Sequence, residues 1–535
     1  MRTAHTYGTN NRTPMNRTSD RVSRTALIRN SFVLVACLAS LAACGGGSGA
    51  AAPAAPPPPP PPQFLTQADV TAIVQAAATA AQSNTMAIAV VDRLGRILAV
   101  YKGPATPVSV PGNFGVMVPP DELAVSLART GAFFSNDQAP LSSRTVRYIS
   151  GVHFPPGITN TPNAALYGIE NTNRGCTLSA ALSPTIPPAT TISGATPGLG
   201  IATGKADTND SDPTAVNPGG VPIFKNGQVV GGVGITGVPF DVAEFVAFSA
   251  ARVNTDGIFI DPAALPPPGE VVIDGVALPF VDQTTAPAGV VAGTYNPANY
   301  EVKPIASPGA PPDGDLIPPT AGIVLTAAQV TQIVANAVAT ASITRALIRL
   351  PLGSRTRMSI AVSDLDGTLL ALHRMPDGTV FSIDVAATKA RNVIYFSGAT
   401  RQAADLNGVP MGTAVTNRTI GFGAQPFFPP GIAGSGDGPF FNIYTRDVMN
   451  PCTQGFEAPG PNQSGIVFFP GSEPLYINGN LVGGLGVSGD GVDQDDFVTA
   501  GGAAGFEPAA AIRADQILID GVRLPYLKFP RNPTD

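Results

Sequence analysis

The sequence predicts an α+β protein built from two divergent copies of one domain. Three observations carry this. The chain of 535 residues is longer than one hydrophobic core usually serves. A series of motifs spread over residues 65–280 recurs in the same order over residues 325–526. Within each series, apolar strands are joined by tight-turn signals and flanked by Ala/Val/Ile-rich helical stretches.

The N-terminus reads as a targeting segment. Arg2, Arg12, Arg17, Arg21, Arg24 and Arg29 precede an apolar run at 32–39, and Leu41-Ala42-Ala43-Cys44 follows. A basic region, an apolar core and a small-residue cleavage site are the layout of a signal peptide, here residues 1–43. The apolar run is too short to span a bilayer. Leu-Ala-Ala-Cys before Gly45 resembles a bacterial lipobox, which implies cleavage before Cys44 and acylation of its thiol, by palmitate or a similar chain. An ordinary secretory signal is the alternative. Residues 44–63 are rich in Gly and Ala and then run through prolines 56–62, a solvated tether with a stiff end. Gly45 in place of aspartate implies, by resemblance to Gram-negative sorting, an outer-membrane lipoprotein in contact with the periplasm.

Six of the 31 basic residues but one of the 37 acidic ones lie in residues 1–43, so the remainder carries a net charge of −11. That argues against nucleic acid as a partner and leaves the lipid anchor as the expected membrane contact.

The copies match element by element. Leu65-Thr66-Gln67-Ala68-Asp69-Val70 corresponds to Leu325-Thr326-Ala327-Ala328-Gln329-Val330, and each Thr is an expected N-cap of a helix running to about residue 82 or 342. Apolar strands around Asp92-Arg93-Leu94-Gly95 and Asp364-Leu365-Asp366-Gly367 predict a hairpin in each copy. Helices follow at 122–135 and 384–397. Long Pro-, Asn- and Thr-rich inserts come next, sharing Phe154-Pro155-Pro156-Gly157-Ile158 and Phe428-Pro429-Pro430-Gly431-Ile432. Their length marks them as lids, arms or interface elements rather than simple connections. Asn226-Gly227 and Asn478-Gly479 each sit between apolar runs and predict a second hairpin, so the sheets are expected to be largely antiparallel. A short helix (241–251; weaker at 494–500) and a shared ending at 273–280 and 519–526 complete each unit. The expected divisions are a first domain at 64–280, a Pro-rich linker at 281–319 and a second domain at 320–535. The two repeats are expected to pack as an intramolecular pseudo-dimer.

The second copy carries Ser359-Ile360-Ala361-Val362-Ser363-Asp364, then His373-Arg374-Met375-Pro376-Asp377-Gly378, then Asp384-Val385-Ala386-Ala387-Thr388-Lys389-Ala390-Arg391, and downstream Gly483-Gly484-Leu485-Gly486-Val487-Ser488-Gly489. This order resembles the GlcG/HbpS-like family of haem-binding or haem-degrading domains. The resemblance implies a small-ligand-binding protein with haem as its candidate cofactor, and no single catalytic chemistry. The first copy departs from the pattern, with Leu127 at the place of Lys389, although Arg129 matches Arg391.

His373 is the first candidate ligand to haem iron or another metal, and its counterpart is Tyr101; both residue types serve as axial haem ligands. A structural strand histidine is the competing reading. Arg374, Lys389 and Arg391 are candidate partners of anionic haem propionates, or else cations of a solvated or salt-bridged helix face. Two Gly-x-Gly-x-x-Gly stretches, from Gly232 and from Gly484, follow antiparallel hairpins, so they read as close-packing glycines rather than a dinucleotide loop. Cys176 and Cys452 fall in matching inserts, where they either bond across the halves or stay unpaired. With two histidines beyond the signal and no hydrolase or zinc motif, binding is expected over catalysis. The alternatives are a non-catalytic structural or protein-interaction module of the envelope and, behind it, an enzyme acting on a small organic molecule.

Overall fold

The computed structural model describes residues 61–180, 182, 184–194, 197–203, 217–253 and 271–535. The signal segment, Cys44 and the tether up to residue 60 lie outside the described residues. No helix among the described residues is long and apolar enough to cross a membrane.

The first copy begins with helix α1 (Gln67–Ala80). Thr66 caps it: its hydroxyl accepts from the Asp69 amide at 3.1 Å, and the Asp69 carboxylate accepts from the Thr66 amide at 2.7 Å. Strands β1 (Ala87–Asp92) and β2 (Ile97–Lys102) form the first hairpin, and α2 (Pro120–Phe134) follows. The insert starts with the short α3 (Ser143–Tyr148). Strands β3 (Gly220–Lys225) and β4 (Gln228–Thr236) make the second hairpin, with Asn226 and Gly227 both at positive φ as its two-residue turn requires. Helix α4 (Phe240–Ala250) closes the unit.

Residues 281–319, expected as a linker, also supply each sheet with a fifth strand. Strand β5 (Tyr300–Val302) joins β2 in the first sheet, and β6 (Gly314–Ile317) serves the second. A strand at a sheet edge pairs on one side only, which suits such Pro-rich surroundings. The second copy then repeats the first. It comprises α5 (Ala327–Ile343), β7 (Ser359–Ser363), β8 (Leu369–Arg374) and α6 (Phe381–Ser397). Insert helices α7 (Asn417–Gly423) and α8 (Phe441–Met449) follow, then β9 (Ser472–Ile477), β10 (Asn480–Ser488) and α9 (Val492–Gly502). The glycine pair 501–502, which weakened the expected helix, forms its last turn. The strand orders, β3-β4-β1-β2-β5 and β9-β10-β7-β8-β6, are the same and antiparallel throughout. The α+β expectation holds.

Each sheet is covered on both faces. Ile88, Val90, Val233 and Ile235 turn toward α1 and α4, while Ala87, Ala89 and Val91 turn toward α2. The helix α2 lies so close to β4 that a Cβ at Gly232 or Gly234 would run into the carbonyl oxygens of Ala128 or Ala124. Gly484 and Gly486 meet Ala390 and Ala386 of α6 in the same way. The Gly-x-Gly-x-x-Gly stretches are therefore helix-packing strands.

One apolar cluster takes residues from both copies, including Phe134 and Phe381, whose rings stack at 4.3 Å. The inserts meet as well. Tyr167 stacks on Tyr444 at 5.2 Å, His153 on Phe427 at 5.5 Å, and Arg174 donates to the carbonyl of Val448. Cys176 and Cys452 form a disulfide between them. Closing so long a loop restricts the unfolded chain, worth ~2–5 kcal/mol. Cys176→Ser should lower the unfolding free energy from chemical denaturation by that amount, and peptide mapping without reductant should recover the 176–452 link; free thiols at both positions would contradict it.

Candidate functional site

Strands β2 and β8 bring the two candidate axial ligands to equivalent points. Cross-strand rows run Ile88–Tyr101–Tyr300 in the first sheet and Ile360–His373–Asp315 in the second. Cross-strand partners project from one face, so both rows belong to the face covered by α1 and α4 or by α5 and α9.

The two points differ chemically. Tyr101 is buried, and its ring meets Tyr295 at 6.0 Å and Tyr300 at 5.5 Å. Its hydroxyl accepts from the Asn296 amide at 3.1 Å and from Asn299 Nδ2 at 3.2 Å. Burial pushes the neighbouring Tyr300 phenol well above its ordinary range. Tyr101 is thus closed off by the segment that leads into β5. His373 keeps a side chain 21% exposed, with Nδ1 2.7 Å from the Asp315 carboxylate on β6. A carboxylate only accepts, so in the neutral ring Nδ1 carries the proton and the lone pair sits on Nε2. Nε2 has no hydrogen-bond partner among the described residues.

The three candidate cations are used inside the protein, which corrects their assignment to an anionic ligand. Arg374 donates to the Gly378 carbonyl and pairs with Asp313. Lys389 is fully buried: Nζ donates to the Val487 carbonyl at 2.7 Å and to Asp495 at 3.0 Å, and lies 5.0 Å from the centre of the Phe469 ring. Burial lowers the Lys389 pKa, opposed by Asp495, and pushes the Asp495 carboxyl up to about 7, opposed by Lys389. Arg391 donates through Nε to the Gly367 carbonyl at 2.9 Å, through Nη1 to Ser464 at 3.1 Å and through Nη2 to the Leu178 carbonyl at 2.6 Å. Arg129 repeats the first of these contacts at Gly95, at 3.0 Å, and adds Thr190. Arg129 and Arg391 therefore fasten the first hairpin turn of each copy to an insert. The physical reason is shared: α2 and α6 are buried almost all round, so a long cation on them must find its partners internally.

The candidates do not converge on one point. His373 lies on one face of the second sheet, and Lys389 and Arg391 lie on the helix covering the other. Among the described residues no group of three or more His, Cys, Asp or Glu could hold a metal ion. Asp315, the partner that orients His373, went unnoticed in the sequence because it sits 58 residues away within the stretch expected to be a linker.

A second acidic point lies where the copies meet. Asp384, at the start of α6, lines a cleft with Leu94, Phe133, Cys176 and Val380. It accepts from the Asn173 amide at 2.7 Å and from Asn173 Nδ2 at 3.1 Å. Burial pushes its carboxyl up to about 6 despite these bonds and the nearby Arg391.

These features define a duplicated α+β domain with an oriented histidine on the strand next to one sheet edge. The comparison goes further for the second copy: residues 325–504 match the family described as haem degrading protein HbpS-like. Among solved structures, a PduOC:haem complex is 20% identical, with a TM-score of 0.22 over 34% of this chain and 94% of its own. The Klebsiella pneumoniae protein ORFY is 18% identical, with a TM-score of 0.21 over 33% and 86%. A double mutant of Streptomyces reticuli HbpS is 20% identical, with a TM-score of 0.20 over 38% and 97%. No curated protein matches this chain.

Two predictions follow from the buried charges. Lys389→Leu strands Asp495 without its partner and should cost about 3–5 kcal/mol in chemical denaturation. The double variant Lys389→Leu/Asp495→Ala should recover most of that; no recovery would mean the pair is not coupled. Asp384 has a folded pKa above its unfolded value of 3.8, so its contribution is complete below about pH 4 and is lost as pH rises through about 6. The loss is on the order of 3 kcal/mol, and Asp384→Asn should flatten the stability profile across that window.

Proposed function

We propose that this protein binds haem through His373 Nε2 in its second domain, and that it does so as a lipid-anchored protein of the bacterial envelope, facing the periplasm from the outer membrane. The observation that carries the binding reading is the Asp315–His373 pair at 2.7 Å. A carboxylate behind a histidine sets the tautomer, turns the ring and raises the basicity of the outward nitrogen, as second partners of metal-bound histidines do. The HbpS-like match over residues 325–504 supports haem as the metal-bearing ligand. When bound, haem would supply an iron centre open to an axial nitrogen.

The residues present fit this role in part. His373 is accessible and oriented, whereas Arg374, Lys389 and Arg391 are committed internally, so propionate charge would be met by solvent or by other groups. The first copy has the buried Tyr101 in place of the histidine. Its role in this reading is to pack against the second copy as the other half of an intramolecular pseudo-dimer. The inserts, which stack on each other and share a disulfide, support that pairing. The anchor rests on Cys44 and the tether of residues 44–63.

Haem titration of the protein lacking residues 1–43 should produce a saturable Soret shift. His373→Ala should abolish or strongly alter the band. Asp315→Asn should weaken binding by about 10–100-fold, and Tyr101→Phe should leave it unchanged. No Soret change in the wild-type protein would refute haem binding. An unchanged band in His373→Ala would refute this ligand.

A further inference from the structure

The two copies solve one buried position in opposite ways, and the difference leaves a cavity. Their equivalence at this place is fixed by several contacts. Gly234 abuts Ala124 as Gly486 abuts Ala386. Arg144 pairs with Glu244 as Arg418 pairs with Asp496. The Thr145 hydroxyl donates to the Pro279 carbonyl as the Thr419 hydroxyl donates to that of Pro525. It follows that Leu127 stands where Lys389 does, Ala243 where Asp495 does, and Asn217 where Phe469 does.

In the second copy those three side chains occupy the space with an ion pair under an aromatic ring. In the first copy each is replaced by a smaller one. The result is an open pocket of about 280 Å³, lined by Leu123, Leu127, Ile235, Phe240, Ala243 and Asn217 among others. Phe240 at the pocket is 57% exposed, so its ring is available to a ligand there. Asn217 is 7% exposed, yet its Nδ2 has no hydrogen-bond partner. A buried amide donor of this kind is completed by water or by a ligand.

We propose that this pocket of the first copy binds a small, neutral, largely apolar molecule bearing one hydrogen-bond acceptor, such as a ketone, ester or amide carbonyl, that receives the Asn217 amide hydrogen. The size is at the small end of small-molecule sites, which run roughly 300–1,000 Å³ with apolar walls and few polar groups. No charged side chain is among the described lining residues, so a charged ligand would lose its hydration without compensation. The site is independent of His373 and of the haem reading. Leu127, in place of the internally paired lysine of the second copy, then leaves this space to a ligand.

The probe is prodan, a neutral dimethylamino-naphthyl ketone whose emission reports both polarity and hydrogen bonding to its carbonyl. Titrated into the protein lacking residues 1–43, it should show saturable, blue-shifted fluorescence at one site per chain. Ala243→Phe fills the pocket and should abolish binding. The triple variant Leu127→Lys/Ala243→Asp/Asn217→Phe, which installs the residues of the second copy, should do the same. Asn217→Leu should keep the apolar contact but weaken binding about tenfold and shift the emission further to the blue. His373→Ala should leave the titration unchanged. The proposal is overturned by absence of saturable binding in the wild-type protein. It is equally overturned if either filling variant unfolds cooperatively, with an unaltered circular dichroism spectrum, and still binds prodan like the wild type.

Discussion

The close approach of a helix to a glycine-rich strand governs this structure. Helices α2 and α6 rest against β4 and β10 with no room for a side chain at Gly232, Gly234, Gly484 or Gly486. That contact sets the height and rotation of each helix. It therefore decides where every residue on the helix points. Arg129 and Arg391 reach the carbonyls of Gly95 and Gly367 in the first hairpin turns because the helix is held at that distance. Leu127 and Lys389 are delivered to the same buried place for the same reason.

What fills that place is under looser control. A buried lysine and aspartate cost several kcal/mol in lost hydration and repay it only through good geometry. Lys389 obtains it from Asp495, a backbone carbonyl and the face of Phe469. An apolar set of residues is an equally acceptable solution for the fold, since the first copy keeps the same topology with Leu127, Ala243 and Asn217. The pair thus confers little that the fold requires, and once it is absent the surrounding backbone does not collapse, because the glycine contacts hold it open. The two copies are free to diverge at this point without disturbing each other's sheets.

The inserts, by contrast, couple the copies. They carry the disulfide, the Tyr167–Tyr444 stack and the guanidinium of Arg391 bound to the Leu178 carbonyl from the other half. Their sequence advertises only turns and irregular backbone, since Pro, Asn and Thr have no period that reveals a partner. Of the roles their length suggested, the interface role is the one their contacts describe.

Much of the local structure was legible in advance. Thr66 and Thr326 as caps, Asn226-Gly227 and Asn478-Gly479 as hairpin turns, and the repeat itself are all local signals, where a residue's own backbone preferences decide the outcome. The haem-family resemblance of the second copy was legible too, as an order of motifs. The candidate site was less so. His373 is identifiable as a ligand type, but its partner Asp315 lies in another strand of a segment that shows no strand pattern. Lys389 and Arg391 look like surface cations in sequence because charge signals hydration unless a distant partner is known, and Asp495 lies 106 residues away. Leu127 in place of Lys389 reads in sequence as a departure from the family pattern; in three dimensions it is part of the wall of an open pocket. Composition and local propensity thus determined the elements and their duplication. Tertiary packing alone decided which charges are satisfied, which histidine nitrogen faces outward and where space is left, because each of these depends on groups brought together from far apart in the chain.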